Sequence, residues 1–184
     1  GKNGHGGRIK KIMDNIGVTQ IDHYVTTHYH EDHYGGIDDL VSAGVSVVKA
    51  YDRGDKLFLP NSKISQVSYK DYQEAVGRRA IHLKRGQSIP LDSAMNVTAI
   101  SSGGVVKGEV TPVSTGNEEN DMSISLLIEY ENFGLFVGGD IEEHTETKIA
   151  NQDLVKDIDI YQSNHHGSHS SSSEAFMKDL LPSV

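Results

Sequence analysis

Thr27-His28-Tyr29-His30-Glu31-Asp32-His33-Tyr34-Gly35-Gly36 places three histidines and an aspartate within six positions, directly after the apolar run Tyr24-Val25-Thr26. In extended backbone, residues i and i+2 point the same way, so His28 and His30 can grip one ion together. The next turn presents Asp32 and His33 on another side, where a second ion can sit. Neutral imidazole and carboxylate are the ligands that suit zinc and other first-row divalent ions. Gly35-Gly36 lets the chain bend sharply into the next element. A lone surface histidine needs no ligand to explain it, but four spaced donors at a strand end do.

The flanking pattern alternates helix and strand. Ile9, Ile12, Met13 and Ile16 fall at i, i+3, i+4 and i+7, so residues 6–16 read as a helix with one apolar stripe, stopped by Gly17. Residues 21–26 read as a buried strand that delivers the ligand loop. A short helix begins near Gly36, using Ile37, Leu40 and Val41 and ending at Gly44, and residues 45–50 form the next strand. Open α/β sheets place their sites at the carboxyl ends of strands, where this loop lies.

Further on, residues 52–65 read as a loop and 69–76 as a short helix. Residues 80–83, 88–91 and 95–100 read as successive strands around an Arg85-Gly86 turn. Residues 101–122 are rich in glycine and serine, with acids at Glu118-Glu119, and a connection that long reads as a flap beside a site. Residues 123–130 and 133–137 form a strand pair turning at Glu131-Asn132. Residues 142–150 form a helix whose first-turn acids suit its dipole, and residues 158–162 form another strand. Ser171-Ser172-Ser173-Glu174 fits a capping box opening the last helix.

Two later stretches join the first: Phe136-Val137-Gly138-Gly139-Asp140 and Asn164-His165-His166-Gly167-Ser168. With the H-x-H-x-D-H run they stand in the order of the metal motifs of the metallo-β-lactamase superfamily, which the chain resembles over most of its length. That resemblance implies an α/β fold, a four-layer αβ/βα sandwich, with residues 1–184 as a single hydrolase domain. The family normally opens with a strand pair carrying an Asp-x-Gly turn, which has no match here, and a further strand would come after Leu181–Val184. Both ends therefore read as cut and the fold as incomplete, with an expected open sheet edge and exposed apolar surface around Ile9–Ile16.

The resemblance also implies a ligand set. His28, His30, Asp32 and His33 would bind two divalent ions, zinc or manganese, Asp140 would bridge them, and one of His165 and His166 would complete the second site. His166 is the favoured ligand, with His165 facing substrate or orienting its neighbours. Asp32 and Asp140 would be the catalytic carboxylates, Asp32 orienting a metal-bridging hydroxide. Other members carry a separate third histidine before the bridging aspartate, and here Asn120-Asp121-Met122-Ser123 stands in that place. His82 comes too early in the order and reads as structural. The departure resembles the branch containing the hydrolase domains of competence-type DNA-uptake proteins and phosphorylcholine esterases. Asn120, Ser123, Ser168 and His169 are then candidate phosphate donors. Tyr29 and Tyr34 are candidate substrate contacts, with plain packing as the competing reading.

These residues favour a phosphodiesterase or nuclease-like hydrolase. The alternatives are a lactamase, lactonase or thioesterase of the same fold, or a non-catalytic metal-binding module. A redox di-iron member would carry a carboxylate at the position of His30. The net charge of −9 argues against gripping a long duplex and for small or flexible phosphodiesters, single-stranded nucleic acid included. Apolar residues make up 36% of the chain, no run approaches a membrane span, and no secretory signal is visible in it. Cysteine is absent, so thiolate ligands are excluded and a cytoplasmic or extracytoplasmic setting stays open.

Overall fold

The structure, a computed structural model, describes residues 4–54, 64–91, 94–110 and 118–183. The chain divides into two compact units, Gly1–His82 and Leu83–Val184. Each is a sheet with helices, and the fold class is mixed α/β.

The first unit runs α1 (Gly6–Asn15), β1 (Gln20–Val25), α2 (Glu31–Tyr34), α3 (Ile37–Ser42), β2 (Ser46–Asp52), α4 (Gln66–Val76) and β3 (Ala80–His82). Its strands form a parallel sheet in the order β1-β2-β3. Parallel neighbours need helical crossovers, which α3 and α4 supply. Gly17 and Gly44 come after α1 and α3 with φ of 71° and 84°, a conformation that glycine adopts without strain. The core gathers Met13, Tyr29, Tyr34, Ile37, Leu40, Val47, Tyr69 and Tyr72.

One expectation needs correction here. Residues 20–25 form a half-buried strand rather than a buried one, because among the described strands β1 pairs only with β2. Apolar surface is exposed on α1, as expected around Ile9–Ile16, though not along the whole stripe. Met13 is buried and Ile9 packs against the core, while Ile12 and Ile16 are 61% and 68% exposed.

The second unit runs β4 (Ser88–Ile89), β5 (Met95–Ser102), β6 (Val105–Val106), α5 (Glu118–Asp121), β7 (Ser125–Tyr130), β8 (Phe133–Val137), α6 (Glu143–Asn151), β9 (Ile160–Gln162) and α7 (Glu174–Leu180). Its sheet order is β4-β5-β7-β8-β9, with β6 beside β5. The pairings are antiparallel except β8–β9, which is parallel with Val137 opposite Gln162. Phe136, Ile141, Ile149, Ile158, Phe176 and Leu180 lie in its core, where the Phe136 and Phe176 rings meet edge to face at 5.7 Å.

The described residues of 101–122 do not form the expected flap. Ser101 and Ser102 end β5, Val105–Val106 turn back on it, and Glu119, Asn120, Asp121 and Met122 are buried. The serines belong to the sheet because their hydroxyls find partners inside it: Ser101 Oγ lies 2.8 Å from Ser125 Oγ, and Ser102 Oγ donates to the Leu83 carbonyl. Residues 111–117 of that segment, and 55–63 of the expected loop, lie outside the described residues. The last helix is capped two positions beyond the expected box. Ser173 Oγ accepts from the Phe176 N–H, while Ser171 Oγ sits between the carbonyls of Asn164 (2.8 Å) and Ser168 (3.0 Å).

Candidate metal centre

In the first unit the ligand loop leaves the carboxyl end of β1, in register with the end of β2. His28 Nε2 and His30 Nδ1 stand 3.1 Å apart, a distance the i, i+2 spacing permits. Two donors on one tetrahedral ion with bonds of about 2.0–2.1 Å are roughly 3.3 Å apart, so the pair fits a shared ion. The single turn of α2 comes directly after His30 and carries Asp32 and His33, with Asp32 Oδ2 3.5 Å from His33 Nε2. Thr27 Oγ1 lies 3.2 Å from His28 Nδ1 and 3.3 Å from His33 Nδ1. One hydroxyl thus reaches the far edge of two candidate ligands, the place from which outer contacts fix ring orientation.

Tyr29 and Tyr34 are core residues, 1% and 0% exposed. The alternation that turns His28 and His30 one way turns Tyr29 the other, onto Tyr34, Tyr69 and Tyr72. The packing reading therefore holds over the substrate-contact reading for both. The Arg53 guanidinium lies 4.4 Å over the Tyr29 ring. Burial, and then the Asp52 carboxylate, pushes the hydroxyls of Tyr29 and Tyr72 far above the usual phenol range, so neither ionises as a ligand.

His82 ends β3 opposite Asp52 at the end of β2. Its Nδ1 lies 2.7 Å from Asp52 Oδ1, and Asp52 also accepts from Gly54 N–H and from the Tyr72 hydroxyl. The structural role read for His82 agrees with this network. Asp52, which organises it, gives no signal in the sequence.

In the second unit the parallel pair β8–β9 releases two segments side by side, Gly138-Gly139-Asp140 and Ser163-Asn164-His165-His166. The His165 N–H donates to the Gly139 carbonyl at 3.0 Å and locks them together. His166 Nε2 lies 3.5 Å from Asp140 Oδ2, again a spacing that suits one ion. His165 Nε2 is farther from it, at 3.9 Å. The Nδ1 of His165 sits 3.2 Å from Glu142 Oε1 and 3.4 Å from Ser170 Oγ.

Asn120 is buried, and its amide donates to Glu142 Oε1 at 3.0 Å while lying 3.3 Å from His165 Nε2. Ser123 is buried too, and its Oγ accepts the Asp140 N–H at 3.2 Å. The sequence pattern makes both of them candidate phosphate donors. Burial assigns them instead to holding Glu142, His165 and Asp140. Ser168 is half-buried with its hydroxyl 3.1 Å from Ser170 Oγ, and His169 is exposed on the same turn. Glu142 escapes notice in the sequence; its one visible signal is its position two residues after Asp140.

In each unit, histidine and carboxylate groups at ligand spacing follow the carboxyl ends of parallel strands and could hold a metal ion. The chain belongs to the metallo-beta-lactamase superfamily, whose model matches residues 4–176. That superfamily is mostly metallo-hydrolases, and its fold implies divalent metal ions. ComE operon protein 3 of Bacillus subtilis (strain 168) is 23% identical over 170 residues, covering 90% of this chain and 20% of that protein. The chain thus spans a fifth of that relative's length. A metallo-beta-lactamase from Staphylococcus aureus subsp. aureus COL superposes with a TM-score of 0.50 at 16% identity, over 90% of this chain and 47% of its own. CmlA, a diiron beta-hydroxylase from Streptomyces venezuelae, reaches a TM-score of 0.47 at 13% identity, over 78% of this chain and 25% of its own. Among the described residues no helix is long and apolar enough to cross a membrane.

Proposed function

We propose that this chain hydrolyses phosphodiesters with two divalent ions, zinc or manganese. The ligands would be His28, His30, Asp32, His33, Asp140 and His166, and residues 1–184 would be one hydrolase domain. Bound ions would supply a water whose pKa falls from about 15.7 towards 7 and would polarise a phosphoryl oxygen. Asp32 would orient the nucleophile, Asp140 would be a further carboxylate ligand, and Thr27 holds the His28 and His33 rings. Glu142 and Asn120 hold His165 beside the Asp140–His166 pair. Ser168 and His169 remain as donors to the phosphate.

What supports the substrate class is the family resemblance, by which Asn120-Asp121-Met122-Ser123 stands where three-histidine members would place a further ligand. With one imidazole fewer, the set leaves a coordination position for a phosphate oxygen. The net charge of −9 supports small or flexible diesters, single strands included, over long duplexes. The test is turnover of bis-p-nitrophenyl phosphate and p-nitrophenyl phosphorylcholine by zinc- and manganese-loaded protein, beside a chromogenic β-lactam. Diester cleavage with little β-lactam cleavage is expected. Efficient β-lactam or thioester hydrolysis, with no diester turnover under either metal, would overturn the assignment.

A further inference from the structure

Glu146, on α6, is fully buried, and among the described residues its carboxylate meets no cation. A buried carboxylate is costly unless hydrogen bonds replace its water. Here three N–H groups do so. Oε1 accepts from Asn164 Nδ2 at 2.8 Å and from Ser172 N at 2.6 Å, and Oε2 accepts from Ser173 N at 2.9 Å. Asn164 is gripped elsewhere as well: its N–H donates to the Tyr161 hydroxyl, its carbonyl accepts from Ser171 Oγ, and a Cβ on Gly138 would collide with its side chain.

The two residues after Asn164 are both left-handed, His165 with φ 46° and ψ 48°, His166 with φ 54° and ψ 24°. Residues with a Cβ adopt that conformation rarely, and two in succession must have it imposed by their surroundings. Nothing in the local sequence does this, since the one flanking glycine, Gly167, comes after them.

We propose that Glu146 is a positioning residue. Through Asn164 it imposes the left-handed His165–His166 turn and so keeps His166 Nε2 at 3.5 Å from Asp140 Oδ2. The inference rests on the reading of His166 and Asp140 as ligands. Glu146→Gln is the near-isosteric probe. All three partners are donors, so the new amide NH₂ faces an N–H whichever way it is turned. Asn164→Ala is the second probe, because it removes the link and leaves the Ser172 and Ser173 bonds in place.

Zinc titration of the full chain, with stoichiometry and competition affinity as readouts, decides the matter. The unaltered protein should bind two ions and His166→Ala one. Glu146→Gln and Asn164→Ala should each weaken one site about tenfold or more and spare the other, with unchanged circular dichroism. If either folded variant binds two ions at the original affinity, even with a lowered Tm, the role is structural and the inference falls. Equal weakening of both sites would mark general loosening and overturn it too. Should Glu146→Gln fail to fold, Asn164→Ala decides alone. An unaltered protein without a second site, or His166→Ala that keeps it, overturns the ligand reading itself and this inference with it.

Discussion

The histidine loop after β1 and the histidine turn after β9 both bring imidazole to the carboxyl end of a parallel strand, and they do so by different means. The loop uses ordinary backbone. His30 is extended at φ −78° and ψ 140°, and α2 starts at once, so the spacing of donors in sequence becomes their spacing in space. The turn uses two left-handed histidines that a buried glutamate and an asparagine hold from outside. Its partner Asp140 arrives from another strand. Ligand spacing can thus be written in one short segment or assembled by the fold, and the two arrangements should fail differently.

His30→Ala should give the largest effect. It deletes a donor from the local arrangement, so turnover should fall by at least about 10²–10³-fold, the scale of losing one electrostatic stabiliser. Circular dichroism should be unchanged, because the loop backbone needs no help from that ring. Asp32→Ala should come next, with most turnover lost, on the order of 10²-fold, and the fold intact. Full activity with unchanged metal content would remove Asp32 from the chemistry.

Thr27→Ala sharpens the comparison on the local side. Its hydroxyl reaches the Nδ1 atoms of His28 and His33, so zinc affinity by competition should drop about 10–100-fold, as for other outer contacts to ligands. An unchanged affinity would mean that the loop backbone alone sets both rings. Tyr34→Phe should do least. Its hydroxyl donates a long 3.4 Å bond to the Ser65 carbonyl, so stability should fall by about 1 kcal/mol or less. Turnover should stay within about twofold, the range of a change worth roughly 0.5 kcal/mol. A large loss of turnover in Tyr34→Phe would restore the substrate contact that its burial argues against.

The sequence by itself determined what is local. The donors of the H-x-H-x-D-H run, the helix stop at Gly17, the strand that ends before Asp140 and the helix beyond it are all legible, because each depends on residues within one or two turns of one another. Tyr29 stays open between packing and substrate until the loop's alternation is seen to send it into the core. What only the tertiary structure decided lies where partners are distant in sequence. Asn120 meets Glu142 and His165 across 22 and 45 positions, Ser123 meets Asp140 across 17, and Glu146 meets Asn164 across 18. Read alone, each is an ordinary polar residue in a loop or helix. Burial takes away their water, and the pairing of β5, β7, β8 and β9 supplies the partners that replace it, so their roles exist only once the sheet has formed.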